Sequence, residues 1–155
     1  MGQKICICQT FYPFLVAEAD GVVVGYGYAG AHEGEVSFGW NAVVSVYVER
    51  AFGGHGIGRA LHEALEGMLK AMGVVNLYSV ATFHAQGEYF QNGRGYLEAG
   101  RLLNAAFREG KWRDLIYYEK QIALHDENPT PVRPVDELRE EEIEQIFQKA
   151  IKRIR

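Results

Sequence analysis

The stretch Ser45–Met72, SVYVERAFGGHGIGRALHEALEGMLKAM, reads as a β-strand that runs into a glycine-rich turn and then into an amphipathic helix. Gly54, Gly56 and Gly58 alternate, so the backbone can take conformations closed to other residues and can approach a ligand without a Cβ between them. The turn lies where a helix begins, and the unpaired amides and positive dipole end of a helix N-terminus together favour a phosphate or pyrophosphate. Two common phosphate loops are excluded. A dinucleotide fingerprint G-x-G-x-x-G/A started at Gly56 meets Leu61, and started at Gly54 it meets Arg59. A P-loop needs Gly-Lys-Ser/Thr, which occurs nowhere in the chain. The plain alternative is a glycine-rich turn with no ligand.

Strand, alternating glycines and a helix with Ile57, Leu61, Ala64, Leu65, Met68 and Met72 on one stripe together resemble the acyl-CoA-binding motif of the GNAT acetyltransferases. Outside the loop the resemblance narrows to the phosphinothricin-type N-acetyltransferases and covers roughly residues 12–122. Tyr12–Glu18, Asp20-Gly21 and Val24–Gly30 are similar to that subfamily's first antiparallel hairpin, and Ser45–Val48 to its central strand. Gly95-Tyr96, Gly100 and the F-x-x-G-x-W-x-D run Phe107–Asp114 are similar to its closing segment.

The resemblance implies an α+β GNAT fold, a strongly twisted mixed sheet with helices on both faces. It also implies an enzyme that moves an acetyl group from acetyl-CoA to the amine of a small amino-acid-like molecule, of phosphinothricin or methionine sulfoximine type. The cofactor would lie against the backbone of Val46, Tyr47 and Val48 and against Gly54, His55, Gly56, Ile57, Gly58 and Arg59.

Direct transfer from a thioester to an amine needs a base, an oxyanion donor and an acid. In the family the donor is a backbone N–H of the central strand, which survives any side-chain change. The base is usually a glutamate two residues before the Ser-Val-Tyr-Val segment, and this chain has Val43 there. The family's N-x-x-S-x-x-x-H/Y pattern reads His84, Gly87 and Gln91, and the residue that opens its pyrophosphate loop is Gly53. Substitutes for the lost groups are His84, Glu33, Glu35 and Tyr89, with His84 also standing at a cofactor-contact position. Each has a plain alternative as a solvated loop residue. Substrate contacts are expected at Glu33, Val43, Val44 and Ser45. The competing class is a catalytically weakened acyl-CoA-binding or regulatory protein that has kept the loop and lost the base; a third is an interaction role centred on the C-terminal helix.

Composition narrows the setting. A chain of 155 residues fits one domain. Its apolar runs are too short to span a membrane, and its first residues lack the basic and apolar regions of a secretory leader. Cys6 and Cys8 are too few for a zinc site or a disulfide scaffold and are read as reduced, so no metal is expected. A formal charge of −4 argues against a nucleic-acid partner. The expectation is a cytoplasmic protein, and the resemblance to the family implies a homodimer.

Strands are expected over 13–19, 22–30, 36–48, 74–81 and 113–123, and helices over 57–72, 86–93 and 138–154. Two segments follow: an acetyl-CoA-binding core at 1–126 and a strand–helix segment at 127–155. The family opens with a strand and two helices ahead of the position of Tyr12, where only eleven residues stand here. Val132–Leu138 followed by Ile143, Ile146, Phe147, Ala150 and Ile151 resembles that missing front. The tail is expected to supply it, folded back as a circular permutation or swapped into a partner. The alternative is a plain C-terminal extension.

Overall fold

The computed structural model describes residues 3–7, 11–32, 34–82 and 93–155. Among the described residues seven strands, β1 (Gln3–Ile7), β2 (Phe14–Ala19), β3 (Val22–Ala31), β4 (Asn41–Val48), β5 (Asn76–Thr82), β6 (Leu97–Arg108) and β7 (Lys111–Gln121), form one sheet in the order β1-β2-β3-β4-β5-β7-β6. Only β4 and β5 run parallel; every other neighbouring pair is antiparallel. The parallel pair is bridged by helix α1 (Ile57–Met72), whose bounds match those read from its periodicity.

Strand alternation divides the sheet cleanly. Leu15, Ala17, Ala29, Ala42, Val44 and Leu77 point to one face and are buried against Leu61, Leu65, Met68 and Met72 of α1. The other face carries a stack of rings: Tyr26 lies 5.8 Å from Phe14, 6.4 Å from Tyr28 and 5.6 Å from Tyr47 between centroids. Helix α2 (Glu140–Ile151) packs across α1 rather than on the sheet. Gly67 permits the approach, since a Cβ there would stand 3.0 Å from Ile146 Cγ2. The helix expected over 86–93 falls, apart from its last residue, outside the described residues.

The tail corrects one expectation. The first strand comes from Gln3–Ile7, which pairs with β2 from Gln3↔Ala19 to Ile7↔Leu15, and not from residues 132–138. Pro131 and Pro134 lack the N–H donors that a ladder requires. The segment instead docks by single bonds, Arg133 N–H to Met72 O at 3.0 Å and Val135 N–H to Phe11 O at 2.8 Å, before a short 3-10 turn at Val135–Glu137. It then delivers α2 to α1 of the same chain.

Two other expectations shift. The strand read over 36–48 begins only at Asn41, because Val36–Phe38 close a 3-10 turn. Strand β6 was not expected; its ladder is broken by register shifts at Glu98/Gly100 and Leu102/Ala106, which spoil the period-2 pattern. The F-x-x-G-x-W-x-D run proves to be hairpin chemistry. Glu109 and Gly110 turn with φ of 55° and 72°, Phe107 faces Trp112 across the strands, and the Asp114 carboxylate accepts the Asn104 N–H at 3.0 Å.

Candidate active site

The sheet opens along one seam. Pairing between β4 and β5 stops at Val43↔Tyr78, after which β4 runs on to Val48 beside β3 alone and β5 runs on to Thr82 beside β7. The Glu49 N–H donates to Val24 O at 2.9 Å, so Glu49 faces β3. Alternation then turns the amides of Tyr47 and Ser45 the same way and those of Val46 and Val48 into the opening. Two backbone donors thus line a gap that no strand of the described residues fills.

The glycine loop closes the far end of this gap. Gly54 and Gly56 hold φ of 80° and 83°, and α1 starts without a side-chain cap, Ala60 N–H bonding back to Gly56 O at 2.9 Å. The amides of Ile57, Gly58 and Arg59 have no acceptor within the helix. A cleft of about 640 Å³ joins the two features, lined by Val46, Val48 and Phe52, by the loop from Gly53 to Arg59 without His55, and by Gly93 and Arg94. An apolar trough ending in free amides and two guanidinium groups suits a long thin ligand with a phosphate end.

The tail touches this loop. A Cβ on Gly56 would run into the Arg153 carbonyl, and the Arg155 N–H donates to His55 O at 2.9 Å. Arg153 and Arg59 share the Glu63 carboxylate at 2.9 and 3.3 Å.

Comparison with known proteins places the fold and loop together. Residues 5–96 match the model of the acetyltransferase (GNAT) family. The chain belongs to that family. The phosphinothricin N-acetyltransferase of Streptomyces viridochromogenes is 30% identical over 131 residues, covering 84% of this chain and 71% of that protein. An L-methionine sulfoximine/L-methionine sulfone acetyltransferase of Salmonella typhimurium is 29% identical over 115 residues, covering 74% and 67%. A phosphinothricin acetyltransferase of Sinorhizobium meliloti, solved in complex with acetyl-CoA, superposes with a TM-score of 0.70 at 25% identity, covering 80% of this chain and 71% of that one.

Within this GNAT frame the expected cofactor residues divide. Val46, Val48, Gly54, Gly56, Ile57, Gly58 and Arg59 line the cleft. His55 does not: its Nδ1 turns back to Gly53 O at 3.0 Å and Phe52 O at 3.3 Å. Tyr47 is displaced too, its amide facing β3 and its ring lying on the opposite sheet face over Tyr26. Of the expected substrate residues, Val43 and Ser45 point to the face away from α1, whereas Val44 is 2% exposed and its side chain belongs to the core. This last point corrects the expectation: strand alternation cannot put three consecutive side chains on one face. Glu35 is exposed at the start of the 3-10 turn that precedes β4. Glu33, His84 and Tyr89 lie outside the described residues.

Phe52, Gly93 and Arg94 of the cleft escaped the sequence reading, as did a buried histidine of α1. His62, on the polar side of α1 by periodicity, is 2% exposed, its Nε2 2.8 Å from the Tyr96 hydroxyl. Burial, assisted by Arg94 and Lys120, pushes its pKa down to about 3, so at neutral pH the ring is uncharged and its 3.8 Å contact with Glu66 is no ion pair. The Glu66 carboxylate is held by Lys120 Nζ at 2.8 Å.

This burial predicts acid sensitivity. The unfolded chain protonates His62 near pH 6.5 and the folded chain only near 3, so acid favours unfolding throughout that window and stability is lost as pH falls through it. Between pH 7 and 5 the loss from this group is about 2 kcal/mol. Urea melts of His62→Gln should show a pH dependence flatter by that amount; an unchanged dependence would remove His62 from the acid response.

Proposed function

We propose that the protein is an N-acetyltransferase that transfers the acetyl group of acetyl-CoA to the amine of a small amino-acid-like molecule of phosphinothricin or methionine sulfoximine type. The observation that carries this reading is the continuity of the Val46 and Val48 amides with the glycine loop in one cleft. The residues present fit the cofactor: loop amides and Arg59 for the pyrophosphate, and the β4 edge for the pantetheine amides and the thioester carbonyl. The amine nitrogen attacks that carbonyl carbon and loses a proton to a base, the C–S bond breaks, and the thiolate leaves with a proton. A strand amide aimed at the carbonyl oxygen stabilises the oxyanion between these events, a type of contact worth about 3–4 kcal/mol per donor elsewhere. The relatives named above support the amine class.

A second reading is favoured by Val43, which offers no proton acceptor where the family places its base. In it the protein binds acyl-CoA and turns over little or nothing. Calorimetric titration with acetyl-CoA, followed by thiol release with phosphinothricin, methionine sulfoximine and a panel of amino acids, separates the two. Binding with turnover is expected. Binding without turnover across the panel would favour the second reading, and no binding would reduce the loop to a turn.

We further propose a cytoplasmic homodimer; sedimentation of the purified protein tests the oligomeric state and cell fractionation the compartment. Among the described residues no helix is long and apolar enough to cross a membrane.

A further inference from the structure

The position left empty of a base by Val43 has an imidazole beside it. Val43 pairs with Tyr78 at the last rung before β4 and β5 part, and both side chains point to the face away from α1. The His32 ring lies on Tyr78, centroids 4.6 Å apart at an interplanar angle of 31°, with Phe38 edge-on to it at 6.5 Å. His32 follows directly on Ala31, which pairs with Ala42, and so stands at the closed end of the opening. Its Nδ1 is buried and finds no hydrogen-bond partner among the described residues. A buried polar nitrogen without a partner is costly, of order 1–3 kcal/mol, and such an atom in a native fold calls for an explanation. A substrate that satisfies it is one.

We propose that His32 is the general base of the transfer, taking over from the missing carboxylate. The inference rests on the acetyltransferase reading. The cofactor reaches the seam from the α1 side, where its cleft lies, and the amine would reach it from the opposite face, which carries Val43 and Ser45 of β4, Tyr28 of β3 and, just past the end of β3, His32. Ser45 pairs with Tyr28, which puts a hydroxyl and a phenol next to the same apex. In this arrangement the amine hydrogen-bonds to the imidazole, the nitrogen forms its bond to the thioester carbon, His32 takes the N–H proton, and the C–S bond breaks to release the CoA thiolate, which takes a proton from solvent. The proton on the imidazolium then returns to solvent. Phe38 and Tyr78 hold the ring plane, leaving Val43 to supply only apolar wall.

The test is steady-state thiol release, with acetyl-CoA affinity measured on the same samples. His32→Ala should lower kcat by roughly a hundredfold or more with acetyl-CoA affinity unchanged, and added imidazole should restore part of the rate. His32→Phe keeps a ring against Tyr78 and Phe38 but cannot accept a proton; it should be equally slow and not be rescued. Wild-type kcat in His32→Phe, or a slow His32→Ala that imidazole does not rescue, would overturn the assignment while leaving the acetyltransferase standing. A wild-type protein without turnover on any amine would overturn both together.

Discussion

Removal of residues 127–155 is expected to leave a chain without a cooperative melting transition. Val135, Leu138 and Ala150 are buried, and Ile143, Ile146, Phe147 and Ile151 pack half-buried against the same core. Burying a Val- or Leu-sized side chain fully contributes about 1.5–3 kcal/mol. The segment therefore carries a sum comparable with the whole stability of a domain, about 5–15 kcal/mol. Its loss would also uncover the side of α1 that includes Gly67. Thermal melts and solubility of the 1–126 fragment check this. An unchanged melting temperature would make the tail an accessory and reject the view that it completes the fold.

Gly56→Ala should damage stability and acetyl-CoA binding together. Alanine in the left-handed region costs about 1–2 kcal/mol, and overlap with packed neighbours typically costs about 1–3 kcal/mol more. Here the new methyl meets the Arg153 carbonyl, a main-chain atom that cannot swing aside. Either the loop or the tail must move, with a drop in melting temperature of roughly 5–15 °C and an affinity at least about tenfold weaker. Gly54→Ala is the internal comparison. Its φ of 80° carries the same backbone strain, but nothing lies within 4 Å of the added Cβ. The excess effect at Gly56 therefore isolates the tail contact, and equal effects at the two positions would show that contact to be inconsequential.

What could be read in the sequence was what repeats locally. The stripe from Ile57 to Met72 fixed helix α1 because one face of it is apolar throughout, and the alternating glycines ahead of it marked the loop. Strand β6 was hidden by its own irregularity: Gly100 and Asn104 sit near register shifts, and its turn is Glu-Gly rather than the familiar Asn-Gly. The tail's helix was legible, but its partner was not, since Ile146 meets Gly67 across a separation that no periodicity spans. The same limit hid His32. Nothing local to His32 says that its ring lies over Tyr78, forty-six positions later, next to the valine whose chemistry was missing. His55 shows the reverse case: its place inside the loop suggested a phosphate contact or a ring in solvent, and neither reading included the approach of its Nδ1 to the loop's own carbonyls.

The contact between Arg155 and His55 has a practical side for anyone preparing the protein. A purification handle or fluorescent fusion attached directly behind Arg155 would hang from the loop that is to be assayed. Its bulk or mobility would enter every affinity measured on the tagged sample. The amino end is the safer place for a handle. Strand β1 lies three strands from β4, about 14 Å across the sheet, so a label there can tumble without pulling on the glycines.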